Sequence, residues 1–214
     1  MATDPSPAAL PASFYDRPSR QVARDLLGCL LTDGLVTVRL VEVEAYTGTA
    51  DPASHSYRGP TLRNAVMWGP PGRLYVYFTY GMHWCMNTVC GAEGDASAVL
   101  LRAGDVVAGA DEAALRRPGV RRIDWARGPA RLTRLLGVTG VQNGLDLTAG
   151  GPPLTLLPGA PEADDNVRVG PRVGLNPRLG EAAEWPWRWW IADSAAVSTF
   201  RPGGQRTRKA RSDG

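Results

Sequence analysis

The chain has 214 residues, 43% hydrophobic and 21% charged, with a formal net charge of +3; that length suits one ordinary domain able to bury its core without disulfides or structural metals. Three cysteines, Cys29, Cys85 and Cys90, form no C-x-x-C pair and leave an odd count, so they read as reduced thiols in a cytoplasmic protein and not as a disulfide framework. The opening MATDPSPAALPAS lacks the basic start and apolar run of a signal peptide, no stretch is long and apolar enough for a membrane span, and residues 1–13 read as a disordered lead-in.

The positive charge is unevenly placed. The last fourteen residues, RPGGQRTRKARSDG, carry five basic side chains and one acidic one, so residues 201–214 read as a basic disordered tail and the body before it is close to neutral. Within the body, Arg58, Arg63 and Arg73 follow one another without an acid between them, and residues 116–134 hold seven arginines against Asp124. Such patches suit phosphate contacts, although the abundance of arginine over lysine also fits a compositional bias. Lys209 is the sole lysine and lies in the tail, which argues against chemistry needing a buried Schiff-base lysine.

In chain order, Ser19–Leu27 has the apolar spacing of a short helix, with Ser19 as N-cap and Gly28 ending it. LVTVRLVEVEAY (35–46) alternates as a strand, and the adjacent Leu40 and Val41 mark a bulge or burial on both faces; unbroken alternation puts Glu42, Glu44 and Tyr46 on one face. The polar segment TGTADPASHSYRGPTLRN has no periodicity and reads as a functional loop. Residues 74–79 and 82–90 form a hairpin, and AVLLRA (98–103) a buried strand. Helices are expected over 106–117 and in GPARLTRLLG, where Pro129 sits in the first turn and Gly137 just past the end. Short β segments follow Asn143-Gly144, and WPWRWWI (185–191) reads as a half-buried terminal strand. Helices and strands do not alternate regularly, so the expected fold is α+β: a single compact domain over 14–200 with a largely antiparallel sheet.

Glu44 stands out as a carboxylate at the mouth of an apolar strand, able to act as a general base on water or simply to face solvent at a strand edge. Glu42, Glu44, Asp51 and His55 form an alternative mixed O and N ligand set for a metal-dependent nuclease, although the two histidines and the loop origin of the set argue against it. Arg102 interrupts an apolar strand and needs an acidic partner such as Glu44, unless it lies just past the buried part. Leu74, Val76 and Phe78 share the core face of their strand, whereas Tyr75 and Tyr77 share the other. Tyr80, followed by Gly-Met-His-Trp, puts apolar bulk at a turn tip, where an aromatic wedge for unstacking bases would sit.

VEVEAYTGTADPASHSYRGPTLRN, then GRLYVYFTYGMHWCMN, then AVLLRA closely resemble the alkyladenine (3-methyladenine, or methylpurine) DNA glycosylases that lack a helix-hairpin-helix motif. The likeness continues through GPARLTRLLG, NGLDL, GPRVGL and EWPWRWW, from about Asp16 to Phe200. The resemblance implies a curved sheet flanked by helices, with a protruding hairpin that enters DNA. It makes Glu44 the base that activates water, helped by Arg102 and the backbone carbonyl of Val173. Tyr46, His55 and Tyr77 would enclose a flipped base, and Asn87 would crowd the amino group of normal guanine. Tyr80 would fill the gap in the duplex, while Met82 and Arg63 would lie along the DNA. The implied protein is a monomeric, bacterial-type cytoplasmic enzyme associated with the nucleoid, acting on damaged purines in double-stranded DNA. It needs no metal or other cofactor and no membrane, and it leaves an abasic site without lyase chemistry. A non-catalytic damaged-DNA-binding module is the alternative.

Overall fold

The computed structural model describes residues 8–204; residues 1–7 of the expected lead-in and residues 205–214 of the basic tail, Lys209 among them, lie outside this range. Along the chain run α1 (Ala12–Tyr15), α2 (Ser19–Leu26), β1 (Leu30–Thr32), β2 (Thr37–Tyr46), β3 (Leu74–Thr79), β4 (His83–Cys90) and β5 (Ser97–Ala108). They are followed by α3 (Ala110–Arg116), α4 (Pro129–Leu135), β6 (Thr155–Leu157), β7 (Val167–Gly170), α5 (Glu181–Glu184) and β8 (Arg188–Ile191). None of the helices among the described residues is long and apolar enough to cross a membrane.

The strands form one curled antiparallel sheet, ordered β3-β4-β5-β2-β1-β6, with β8 pairing both β2 and β7. β2 is its organising strand. It pairs with β5 along one edge; along the other it pairs first with β1, at residues 37–39, and then with β8, at residues 42–44. Between those two stretches Leu40 pairs with Gly104, Glu42 with Ala103 and Val43 with Leu101, so that Val41 and Arg102 each stand without a partner. The expected irregularity at Leu40-Val41 is therefore real, and both side chains are buried as well. Such a bulge twists the strand locally, and here it lies where β2 changes partner.

On one face of the sheet Leu74, Val76, Met86, Val99, Leu101 and Val43 are buried in the main core, together with Val22 and Leu26 of α2 and Leu132 and Leu135 of α4. This is the apolar stripe that the sequence spacing of both helices provides. Pro129 occupies the first turn of α4 and Gly137, at φ +64°, follows its end, as expected.

Several boundaries differ from the sequence reading. Leu10 is buried and its N–H donates to Leu156 O, and α1 follows at once, so part of the expected lead-in is packed. Ser19 is the first helical residue of α2 and not its cap: Pro18 holds the cap position, and the Ser19 hydroxyl lies 3.3 Å from that of Thr47. Gly28, at φ +86°, does end the helix region, and a Cβ there would meet Ala160 O at 2.3 Å. The helix expected from residue 106 starts only at Ala110, because Asp105, Val106 and Ala108 still pair with β2 and the ladder ends at Gly109, at φ +74°.

The β3–β4 hairpin projects beyond the core. Leu74 and Val76 are buried, as their face predicts, but Phe78 is 45% exposed and packs on Trp84 with ring centroids 4.8 Å apart. At the tip Met82 N–H donates to Thr79 O at 3.1 Å, and Tyr80 and Gly81 both have positive φ, +52° and +67°. That is the pattern of a type I′ hairpin turn, in which Asn-Gly is the favoured pair. A tyrosine there carries backbone strain, and its ring, 83% exposed, gains nothing from burial. Tyr80→Asn is expected to raise folding stability by about 1 kcal/mol in chemical denaturation; equal or lower stability would show that the ring makes compensating contacts.

Candidate active site

The register of four strands builds the other face of the sheet. Tyr75 pairs with Asn87, Asn87 with Leu100 and Leu100 with Glu44, which places the four side chains in one row across the sheet. Beside this row stand the pairs Tyr77–Cys85 and Tyr46–Ala98. Together they floor a cavity of about 360 Å³, within the usual range of small-molecule clefts, about 300–1,000 Å³. Its walls come from His55, from Pro129 and Ala130 of α4, and from the Val173–Leu175 loop, and Tyr80 stands at its rim.

Glu44 is fully buried, and both of its carboxylate oxygens are engaged. Oε1 accepts the Val173 N–H at 2.6 Å and lies 3.3 Å from Arg102 Nη1, while Oε2 accepts the Tyr46 hydroxyl at 2.9 Å. Arg102 is the bulged residue of β5, and the bulge delivers its guanidinium to two glutamates at once: Nε donates to Glu42 Oε1 at 2.9 Å. Glu42, also fully buried, further accepts from Arg188 Nε at 2.8 Å and from the Ser198 hydroxyl and N–H, each at 2.8 Å. Burial works against the Arg102 charge, but the flanking glutamates outweigh it and raise its pKa, so the guanidinium stays charged.

The aromatic part of the cavity is kept neutral. Burial, with Glu44 adding to it, raises the Tyr46 hydroxyl well above its ordinary range, and burial raises Tyr77 likewise. Tyr75 is pushed up to about 12, mainly by burial, and its hydroxyl lies 2.9 Å from His55 Nδ1. His55 is exposed as a residue, although its ring stands edge-on to Tyr77 with centroids 4.5 Å apart and edge-on to Tyr75 at 6.0 Å. Loss of surrounding water, reinforced by the Arg63 charge, lowers its imidazole to about 4. His55 is therefore a neutral hydrogen-bonding group at physiological pH. The loop that carries it is held by Asn64, whose amide donates to His55 O at 2.9 Å and Gly59 O at 3.0 Å. Asn87 donates to Tyr75 O at 3.1 Å.

The expected site residues thus occupy two zones. Glu44, Arg102, Val173, Tyr46, His55, Tyr77 and Asn87 line one cavity. Tyr80, Met82 and Arg63 are exposed around it, with the Arg63 guanidinium 5.6 Å from the Tyr77 ring centroid. At Val173 the group that touches Glu44 is the amide, whereas the sequence resemblance drew attention to the carbonyl. The alternative metal set does not converge: arginines take up Glu42 and Glu44, and Asp51 is bound by Arg172. Among the described residues, no three or more His, Cys, Asp and Glu side chains are grouped as ligands.

Arg188, Arg172 and Ser198 were not anticipated as part of the site. Arg188 stands as a lone cation in the aromatic run WPWRWW, and Arg172 immediately precedes Val173 in the GPRVGL motif, so both left a local trace. The strand expected over 185–191 is shorter at its start, although Trp187 O still accepts the Ala45 N–H.

Residues 13–195 match the methylpurine-DNA glycosylase family, and the chain belongs to it. A Frankia casuarinae protein named "Putative 3-methyladenine DNA glycosylase" is 53% identical over 209 residues, which span 92% of this chain and 97% of that one. Proteins of the same name from Streptomyces avermitilis and Burkholderia lata are 49% identical over 215 residues and 47% identical over 204. These spans cover 98% and 91% of this chain and 100% and 95% of the relatives.

Two outcomes test the site's electrostatics. Glu42→Ala strands Arg188 in the interior, leaves Arg102 with Glu44 alone, and is expected to cost about 3–5 kcal/mol in urea denaturation; a loss below about 1 kcal/mol would mean that water replaces the carboxylate. The lowered His55 value, set against about 6.5 in the unfolded chain, makes its contribution to stability complete above pH 6.5 and progressively lost as pH falls toward 4. NMR of the His55 imidazole should accordingly show the neutral ring from pH 8 down to about 5. A midpoint near 6.5 would contradict the packing described.

Proposed function

We propose that the protein is a monofunctional, metal-independent DNA glycosylase that removes damaged purines from double-stranded DNA. The observation that carries the reading is Glu44, a fully buried carboxylate on the floor of an aromatic cavity, with donors fixed on both of its oxygens. In this reading an alkylated, deaminated or etheno purine leaves the stack and enters the cavity between Tyr46, His55 and Tyr77. Flipping costs a few kcal/mol and is easiest at damaged pairs. A methylated purine carries positive charge, which favours the faces of electron-rich rings and makes the base a better leaving group. Asn87 crowds the exocyclic amino group of normal guanine.

Glu44 accepts a proton from a water molecule as the water oxygen bonds to the sugar C1′ and the C1′–N bond breaks; that bond's electron pair neutralises a cationic methylated purine, whereas a neutral deaminated or etheno purine must also take up a proton from solvent water as it leaves. The transition state resembles an oxocarbenium ion, which the carboxylate also stabilises. Arg102 and the Val173 carbonyl help to place the water. Tyr80, an exposed ring at the hairpin tip, fills the gap in the duplex, and Met82 and Arg63 follow the DNA. The products are the free base and an intact abasic site: the sole lysine of the chain is in the basic tail of the sequence, and among the described residues that line the cavity none carries an amine for a Schiff base. The bacterial sources of the named relatives favour a cytoplasmic enzyme, and action on nucleoid DNA as a monomer is part of the same proposal.

Release of free base from methylated duplex DNA in the presence of EDTA tests the reading. Wild type should release base, and Glu44→Gln should be slower by about 10²–10⁴-fold. Borohydride added to the wild-type reaction should trap no covalent adduct. Loss of all activity in EDTA, or equal rates for the two proteins, would overturn the assignment.

A further inference from the structure

Arg172 is 1% exposed and Asp51 fully buried, and they form a two-pronged ion pair, Nη1 to Oδ2 at 2.5 Å and Nη2 to Oδ1 at 3.0 Å. The same guanidinium donates to Ala45 O, at the end of β2, at 3.0 Å and to Ala182 O, in α5, at 3.2 Å. It also lies 4.7 Å from the Tyr46 ring centroid and 5.1 Å from that of Trp187. One side chain therefore joins the β2 end, the His55 loop, α5 and its own segment.

That segment has no ladder of its own. β7 ends at Gly170, and among the described residues the backbone-to-backbone bonds just beyond Arg172 lie at its far side, from Gly174 N–H to Arg201 O and from Gly203 N–H to Leu175 O. Between them lies Val173, whose N–H meets Glu44 Oε1. The other carboxylate oxygen is held by Tyr46, whose ring rests against the Arg172 guanidinium. Both direct restraints that neighbouring groups other than Arg102 place on Glu44 thus trace back to Arg172.

On the glycosylase reading above, we infer that Arg172, clamped by Asp51, is a positioning residue for hydrolysis: it sets the Val173 amide and the Tyr46 hydroxyl that aim the Glu44 carboxylate. A buried ion pair is a poor source of net stability, since apolar replacements often serve as well, whereas a rigid planar fork suits the fixing of several backbone segments at once. Misplacing a reacting group by about 1 Å can cost about 10²-fold in rate.

The test uses the full-length protein and methylated duplex DNA, with single-turnover base release and Kd measured separately. Asp51→Asn removes the charge at constant shape, and Asp51→Glu keeps the charge but shifts the fork. Both variants are expected to lose about 10- to 100-fold in single-turnover rate, with Kd within about a factor of three of wild type. Asp51→Glu leaves the buried cation paired and so carries the test if Asp51→Asn does not fold. A folded variant that releases base at the wild-type rate, or that loses rate and affinity together, overturns the positioning role. Failure of the wild type to release base would instead overturn the glycosylase reading itself, which keeps the two conclusions separable.

Discussion

Arg102 lies between Glu42 and Glu44, donating to the first at 2.9 Å and standing 3.3 Å from the second, with all three side chains buried in the sheet. A carboxylate taken out of water is tolerated only where cations and donors replace its hydration. Here the replacement is shared: Arg188 and Ser198 complete the shell of Glu42, which frees Arg102 to reach Glu44 as well. Removing a charged member shifts the charge balance of the interior, so the site and the centre of the fold share their ion pairs. The bulges on β2 and β5 exist in the same place, because a regular ladder would give Arg102 a partner residue across the strands and remove the offset that lets it reach two acids.

The sheet divides its labour by face. One face carries branched and linear aliphatics against α2 and α4; the other presents the row Tyr75, Asn87, Leu100 and Glu44 to a cavity. Polar function on a sheet face normally loses stability, and here it is tolerated because the aliphatic face supplies the core. The hairpin extends this logic outward. Phe78, Tyr80 and Met82 leave the core and remain exposed, and the turn accepts a strained tyrosine where asparagine would be easier. Strain and exposed apolar surface that folding does not require are reasonable marks of a binding surface.

Much of this was legible in residue pattern. Alternation identified β2 and the hairpin, the odd placement of an arginine in AVLLRA called for an acidic partner, and Tyr80 stood out as a turn residue of the wrong kind. The failures have physical causes. The helix expected from residue 106 gave way to strand because pairing with β2 outweighed local propensity up to Gly109. Phe78 kept the core parity of its strand but ran past the edge of the core, a distance that periodicity does not encode. Asp51 looked like a loop acid with ligand potential until the fold brought Arg172 to it across 121 residues of sequence.

By itself, the sequence determined the α+β class, the strand carrying Glu44, the exposed aromatic tip and the family, because these rest on local alternation, turn chemistry and ordered motifs. Tertiary structure alone decided the rest of the setting of Glu44 and Glu42: the Val173 amide and the Arg172–Asp51 and Arg188–Glu42 pairs join segments far apart in the chain, whereas Tyr46 is a neighbour on the same strand. A buried carboxylate must find its donors wherever folding delivers them, and no spacing in one dimension records which ones arrive.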